Sequence, residues 1–344
     1  MIELSHALAF GATAIAVLAL HRAAPTFGLI DQPGGRRLHA QPVPLVGGLA
    51  IAFGLLLAFG WRGSLAPAPP ALLWAALLIL AGGVVDDRYE ISARLKLLIQ
   101  LVAASVLAEF GGVLLFHVGA LFSPAVQGLG IALVVPFTVL GTVGVMNAMN
   151  MIDGADGLAG GIALGALFWF GSAAWLAGMA AHASWIALIA AALAAYWLYN
   201  AWPPLARHYK IFLGDAGSLL TGLLLAWVAI ELSMAPFPAF KPVTAVWILA
   251  VPICDSVSLM LRRMLRRRSP FKPDREHLHH LLQDAGCTPG QAVALMLAIS
   301  FAFGGLALLA EKSGVPEYVM FYLSMVIFVA YSGFSARFFA RCAA

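Results

Sequence analysis

"IALVVPFTVLGTVGVMNAMNMIDGADGLAGG", residues 131–161, begins as an apolar run and ends in two amides and two carboxylates. The apolar part is long enough to cross a bilayer, which takes about 20 such residues in a helix. At its end Asn147, Asn150 and Asp153 recur every three residues. On a helix they form one polar stripe that drifts by about 60° per step. Gly154 and Gly157 then loosen the backbone and let Asp156 turn in the same direction. Facing lipid, such a stripe would be costly, so it should line a polar cavity. A polar contact between two helices is the plainer alternative.

The rest of the chain has the same character. Of 344 residues, 62% are hydrophobic and 10% charged, with mean hydropathy +0.92. A soluble domain is nearer half apolar and a quarter charged, so the composition indicates an all-α, polytopic membrane protein. Apolar runs suggest about eleven transmembrane helices, centred near residues 12, 52, 77, 104, 137, 168, 191, 224, 251, 300 and 328. With the N-terminus outside (periplasmic), every Lys and Arg except Arg62, Lys241 and Lys312 falls on the inner face. The C-terminus is then cytoplasmic. Every aspartate also falls on the inner side, which the orientation rule does not explain, since it concerns Lys and Arg.

The start, "MIELSHALAF", lacks the basic n-region of a cleavable signal, so the first run reads as a permanent span. Cys254, Cys287 and Cys342 lie on or near the inner side without a Cys-x-x-Cys pair, and no disulfide is expected. The net charge of +4 reflects orientation and gives no argument for nucleic acid. Neither an internal repeat nor a linker divides the chain. One membrane domain over 1–344 is the economical reading, with a basic, His-containing cytoplasmic loop at 262–290.

Further polar constellations lie at inner ends of spans. Asp86 and Asp87 close the third run, where adjacent carboxylates repel unless a cation or basic group lies beside them; Arg88 could be a local counter-ion. Lys96 on the next run could reach back to a phosphate or serve as a snorkelling anchor. Asn200 ends one run and Asp215 starts another in "FLGDAGS", where Asp215 is either an N-cap or a hard-metal ligand. "REHLHHLL" supplies His277, His279 and His280; their spacing is not that of a helical zinc site, but they can donate hydrogen bonds to a diphosphate. Residues 31–48, "DQPGGRRLHAQPVPLVGG", form a Pro/Gly-punctuated loop holding Arg36, Arg37 and His39. There is no Walker A sequence and no Gly-x-Gly-x-x-Gly, so an ATP-driven pump has no support.

Taken in order, residues 31–48, "DDRYEISARLKLLIQ", "NAMNMIDGADGLAGG", "YNAWPPLARHYKIFLGDAGS" and "PDREHLHHLL" resemble the motifs of the polyprenyl-phosphate N-acetylhexosamine-1-phosphate transferases. "HLHH" and the eleventh run look more like the WecA or TagO branch than the MraY branch. The resemblance implies that UDP-N-acetylglucosamine gives its sugar 1-phosphate to undecaprenyl phosphate in the bacterial inner membrane, on the cytoplasmic face, with UMP leaving. This would be the first membrane step of a cell-surface polysaccharide such as O antigen. It also implies Mg²⁺, with Mn²⁺ as an alternative. Asp86, Asp87, Asp153, Asp156 and Lys96 fall on positions implied to be catalytic. Arg37, His39, Asn147, Asn150, Asn200, His277, His279 and His280 fall on implied substrate contacts, and Asp215, with Asn200 nearby, on the implied metal site. Another UDP-N-acetylhexosamine or UDP-MurNAc-pentapeptide is the alternative donor, and a secondary transporter the remote alternative. Sequence leaves the oligomeric state open, a homodimer included.

One physical point bears on the expected reaction. The second pKa of a phosphate monoester is about 6, so the acceptor is mostly a dianion at neutral pH and gains little from a general base. Direct attack of the lipid phosphate on the sugar-bearing phosphorus is therefore expected, with an aspartyl-phosphate intermediate as the alternative.

Overall fold

The computed structural model describes residues 4–33, 41–121, 128–267, 269 and 276–342. In chain order the helices are α1 (Leu4–Phe27), α2 (Gly47–Arg62), α3 (Pro70–Tyr89), α4 (Ala93–Ser105), α5 (Ile131–Ile152), α6 (Leu158–Leu176), α7 (Ala180–Ala201), α8 (Pro203–Tyr209), α9 (Gly214–Met234), α10 (Pro242–Ile248), α11 (Ala250–Leu265), α12 (Leu278–Asp284), α13 (Pro289–Lys312) and α14 (Glu317–Cys342). Strands β1 (Ile30–Asp31) and β2 (Val43–Pro44) pair antiparallel, a small departure from the all-helical expectation. Arg36, Arg37 and His39 lie outside the described residues.

Among the described residues eight helices, α1, α3, α5, α6, α7, α9, α13 and α14, are long and apolar enough to cross a membrane. A ninth span results if α10 and α11, bent by 80° at their junction, are taken as one. The chain is a polytopic membrane protein, and eight to nine of the roughly eleven expected runs meet the length and composition of a span among the described residues. The run near residue 52 is α2, only 16 residues, stopped when Gly63 adopts φ 64°. The run near 104 is α4, 13 residues, continued by a π-helical turn over Val106–Phe110. Hydropathy sums apolar residues whether or not they belong to one uninterrupted helix, whereas the bilayer sets a length.

Helix α9 forms the centre of the bundle and is enclosed along almost its whole length. Three close approaches pack it. A Cβ on Gly48 of α2 would lie 2.4 Å from the backbone N of Gly217, one on Gly83 of α3 would lie 2.2 Å from the Cα of Ala216, and one on Gly222 of α9 would lie 2.5 Å from the Cα of Met146 in α5. Between apolar helices in lipid, association rests on such backbone proximity, because lipid is as apolar as leucine. The register follows. Asp87 lies one turn beyond Gly83 and Asn150 one turn beyond Met146, so both come to the N-terminal end of α9, which carries Asp215.

Helix α11 is polarised in the sense opposite to a surface helix of a soluble protein. It buries Asp255, Ser256, Ser258, Arg262 and Arg263 and exposes Val257, Leu261, Met264 and Leu265. The exposed side recurs at i, i+4, i+7 and i+8, one continuous stripe, as suits a helix with lipid outside and polar partners inside.

Candidate active site

The N-terminus of α9 presents backbone N–H groups with no partner in their own helix. Its preceding residue, Leu213, supplies no side-chain cap. The cap comes from another helix. Asp87, in the last turn of α3, accepts from Asp215 N at 2.7 Å through Oδ1 and from Ala216 N at 3.2 Å through Oδ2. Asp215 is therefore not an N-cap, and its own carboxylate is free to face the neighbouring helices.

That carboxylate is shared by two others. Lys96, in the first turn of α4, donates to Asp215 Oδ2 at 2.8 Å and also pairs with Asp86 Oδ2. Asn150 donates to Asp215 Oδ1 at 2.8 Å and to Ser218 Oγ at 2.9 Å. Asp86 is buried, and its Oδ1 accepts from Ile91 N at 2.9 Å, which ties down the α3–α4 turn. Asp153 follows directly after α5, half-buried, and its carboxylate has no hydrogen-bond partner among the described residues. Burial, then the negative charges of Asp215, Asp87 and Asp156, push its pKa up to about 8. Asp86 and Asp215 thus share the ammonium of Lys96, while Asp87 lies on the same end of α9 and Asp153 within reach of the charge of Asp215.

This excess of carboxylate bears on the implied metal. Among the described residues no three acidic, histidine or cysteine side chains converge as a closed cage. Mg²⁺ does not need one, since it takes one or two carboxylates and completes its shell with water and substrate phosphate. Asp215 and the unpartnered Asp153 fit that partial shell.

Other expected site residues are placed elsewhere. Asn147 donates to Gln100 Oε1 and to Val143 O, and so faces α4. Asp156 is exposed and pairs with Lys210 at 2.6 Å, so it does not turn with Asp153. Asn200 is buried and both ends of its amide are used, Oδ1 accepting from Gly157 N at 2.6 Å and Nδ2 donating to Ile211 O at 2.9 Å. It clamps the α5–α6 turn to the segment before α9.

The histidines do approach the cluster. A Cβ on Gly154 would lie 2.8 Å from His279 Cε1, so this ring rests on the turn beside Asp153. His279 packs on His280 with centroids 4.1 Å apart and on His277 at 5.7 Å. His277 Nδ1 donates to Asp255 Oδ2 at 2.8 Å. Sequence reasoning counted Asp255 only among the inner-face acids and gave Gln100, Lys210 and Ser218 no part. For Asp255 a signal existed, a lone acid inside the apolar run "AVPICDSV". The others are ordinary polar residues until their partners are known.

The sequence profile of glycosyl transferase family 4 matches residues 70–233, which contain all four clustered aspartates and Lys96. The undecaprenyl-phosphate alpha-N-acetylglucosaminyl 1-phosphate transferase of Escherichia coli (strain K12) is 36% identical over 315 residues, 90% of this chain and 84% of the relative. Similar proteins of the same name occur in Salmonella typhi, 35% identical over 93% of this chain and 87% of the relative, and in Haemophilus influenzae, 33% identical over 88% and 85%.

Proposed function

The chain belongs to glycosyl transferase family 4, and from that premise we propose that it transfers N-acetylglucosamine 1-phosphate from UDP-N-acetylglucosamine to undecaprenyl phosphate, releasing UMP. One observation carries the reading: Asp86, Lys96, Asn150 and Asp215, from four helices, form a single hydrogen-bonded cluster at the N-terminus of α9. A phosphoryl transfer between two anions needs fixed geometry and neutralised charge more than acid–base chemistry.

In the proposed reaction an oxygen of the acceptor phosphate attacks the sugar-bearing phosphorus. The bond from that phosphorus to the bridging oxygen breaks, and the electron pair leaves with UMP. No proton transfer is required, because the acceptor attacks as a dianion. Lys96 supplies positive charge where the two phosphates approach, and Asp86 orients it. Asp87 holds the start of α9, and with it Asp215, in place. Asp153 and the histidines border the donor, and Asp156 with Lys210 stands at the rim. Mg²⁺, held by Asp215 and Asp153, would supply charge neutralisation of the diphosphate. The site faces the cytoplasm of a bacterial inner membrane, with the N-terminus outside and the whole chain acting as one membrane unit.

The test is UMP release by detergent-purified protein, with several UDP-sugars crossed against undecaprenyl phosphate. Acceptor-dependent release with UDP-N-acetylglucosamine supports the reading. Release with another UDP-sugar alone would change the donor, and solute counterflow in proteoliposomes without UMP would replace the enzyme with a transporter.

A further inference from the structure

Asp255 is 1% exposed, and the reaction described above assigns it no task. A buried carboxylate is costly unless its oxygens are satisfied. Here three donors satisfy them: His277 Nδ1 at 2.8 Å, the backbone N of Leu278 at 2.9 Å and Tyr331 Oη at 2.6 Å. Two belong to the start of the histidine segment and the third to α14. A second tie lies about two turns further along α11, where Arg262 donates to Ser258 Oγ and Ser335 Oγ, each at 2.7 Å, and to the carbonyl of Glu276 at 2.9 Å. Residues 276–278 are thus mounted on α11 and α14 together. Helix α14 is otherwise largely exposed along its apolar length, and its Tyr331 and Ser335 both serve this mounting.

The chemistry of the contact fixes more than position. A carboxylate can only accept, so Nδ1 of His277 carries the proton and Nε2 is the nitrogen left to meet a ligand. Nε2 has no partner among the described residues. The ring lies against His279, which rests on Gly154 beside Asp153. The histidine face is therefore directed at the end of α5, where the proposed donor site begins.

We propose that Asp255 and Tyr331 are positioning residues for transfer, acting through His277, whose Nε2 they orient toward the diphosphate of the nucleotide-sugar donor. This rests on the function proposed above. It gives the last span a part in the donor site in addition to any role as an anchor.

The experiment uses the purified full chain and reads UMP release at varied UDP-N-acetylglucosamine and at varied undecaprenyl phosphate. Asp255→Asn keeps an oxygen for Leu278 and Tyr331 and turns an amide N–H toward His277. The expected result is a donor KM raised on the order of tenfold, as for other partners that orient a histidine, with the acceptor KM unchanged. His277→Ala should do the same, and the double variant should be no worse than His277→Ala alone, because the two act through one group. Tyr331→Phe should move the donor KM in the same direction by less. It serves in the same cycle if Asp255→Asn fails to fold. An unmoved donor KM in both variants, or a double variant that loses the product of the single effects, overturns the proposal. If the wild type releases no UMP, the function itself fails and this inference falls with it. An active wild type with unmoved variants defeats the inference alone.

Discussion

The carboxylate of Asp87 caps the helix that carries Asp215, with the Asp215 N–H donating to Asp87 Oδ1 at 2.7 Å. Capping normally comes from the residue just before a helix; here it comes from α3, and it fixes where α9 begins relative to the cluster. Asp87→Ala should destabilise the protein by about 1–2 kcal/mol, the usual effect of losing a cap, and lower activity with it. An unchanged melting temperature in detergent would remove the capping role.

Asp86 shares Lys96 with Asp215. Asp86→Asn leaves Lys96 tied to Asp215 alone, so turnover should fall on the order of 100-fold, the scale of losing one electrostatic contact to a transition state. Donor binding by isothermal titration should persist. Lost nucleotide affinity would contradict a role of Asp86 confined to orienting Lys96.

Asp153 gives a pH dependence whose sign can be worked out. Its pKa in the folded protein is about 8, against about 3.9 in an unfolded chain. Between these values the folded state holds the extra proton, so this group makes stability fall as pH rises from about 4 to 8. Asp153→Asn removes the effect. The variant should melt higher than the wild type without divalent cation, by a margin that widens from pH 6 to pH 8, while transfer is lost. A margin that stays constant with pH would mean that Asp153 is not held protonated.

Asn200 separates a clamp from a ligand. Asn200→Ala leaves the buried Gly157 N–H and Ile211 carbonyl unsatisfied, which should destabilise by roughly 1–3 kcal/mol per group. The Mg²⁺ concentration giving half-maximal activity should not change. A large shift in that midpoint would return Asn200 to the metal.

How much of this was legible beforehand depends on the range of the interaction. The membrane class followed from composition, and the carboxylates were found because an acid among apolar residues has few inexpensive explanations. Asp153 and Asp156 looked equivalent in "DGADG" because spacing cannot register that Lys210, 54 residues on, draws Asp156 to the surface. Asn200 stood beside the implied metal through the family resemblance alone. Only coordinates show both of its ends taken by backbone groups. Of the runs expected to span, those near residues 52 and 104 form helices of 16 and 13 residues, shorter than the candidate spans among the described residues.

The proposed function rests on acids from separate helices acting as one transfer site around Asp215. Its most direct test is acceptor-dependent UMP release by purified Asp215→Asn at saturating UDP-N-acetylglucosamine, undecaprenyl phosphate and Mg²⁺, with folding checked by its melting curve. A folded protein without measurable release is expected; full turnover in that variant would remove Asp215 from the site.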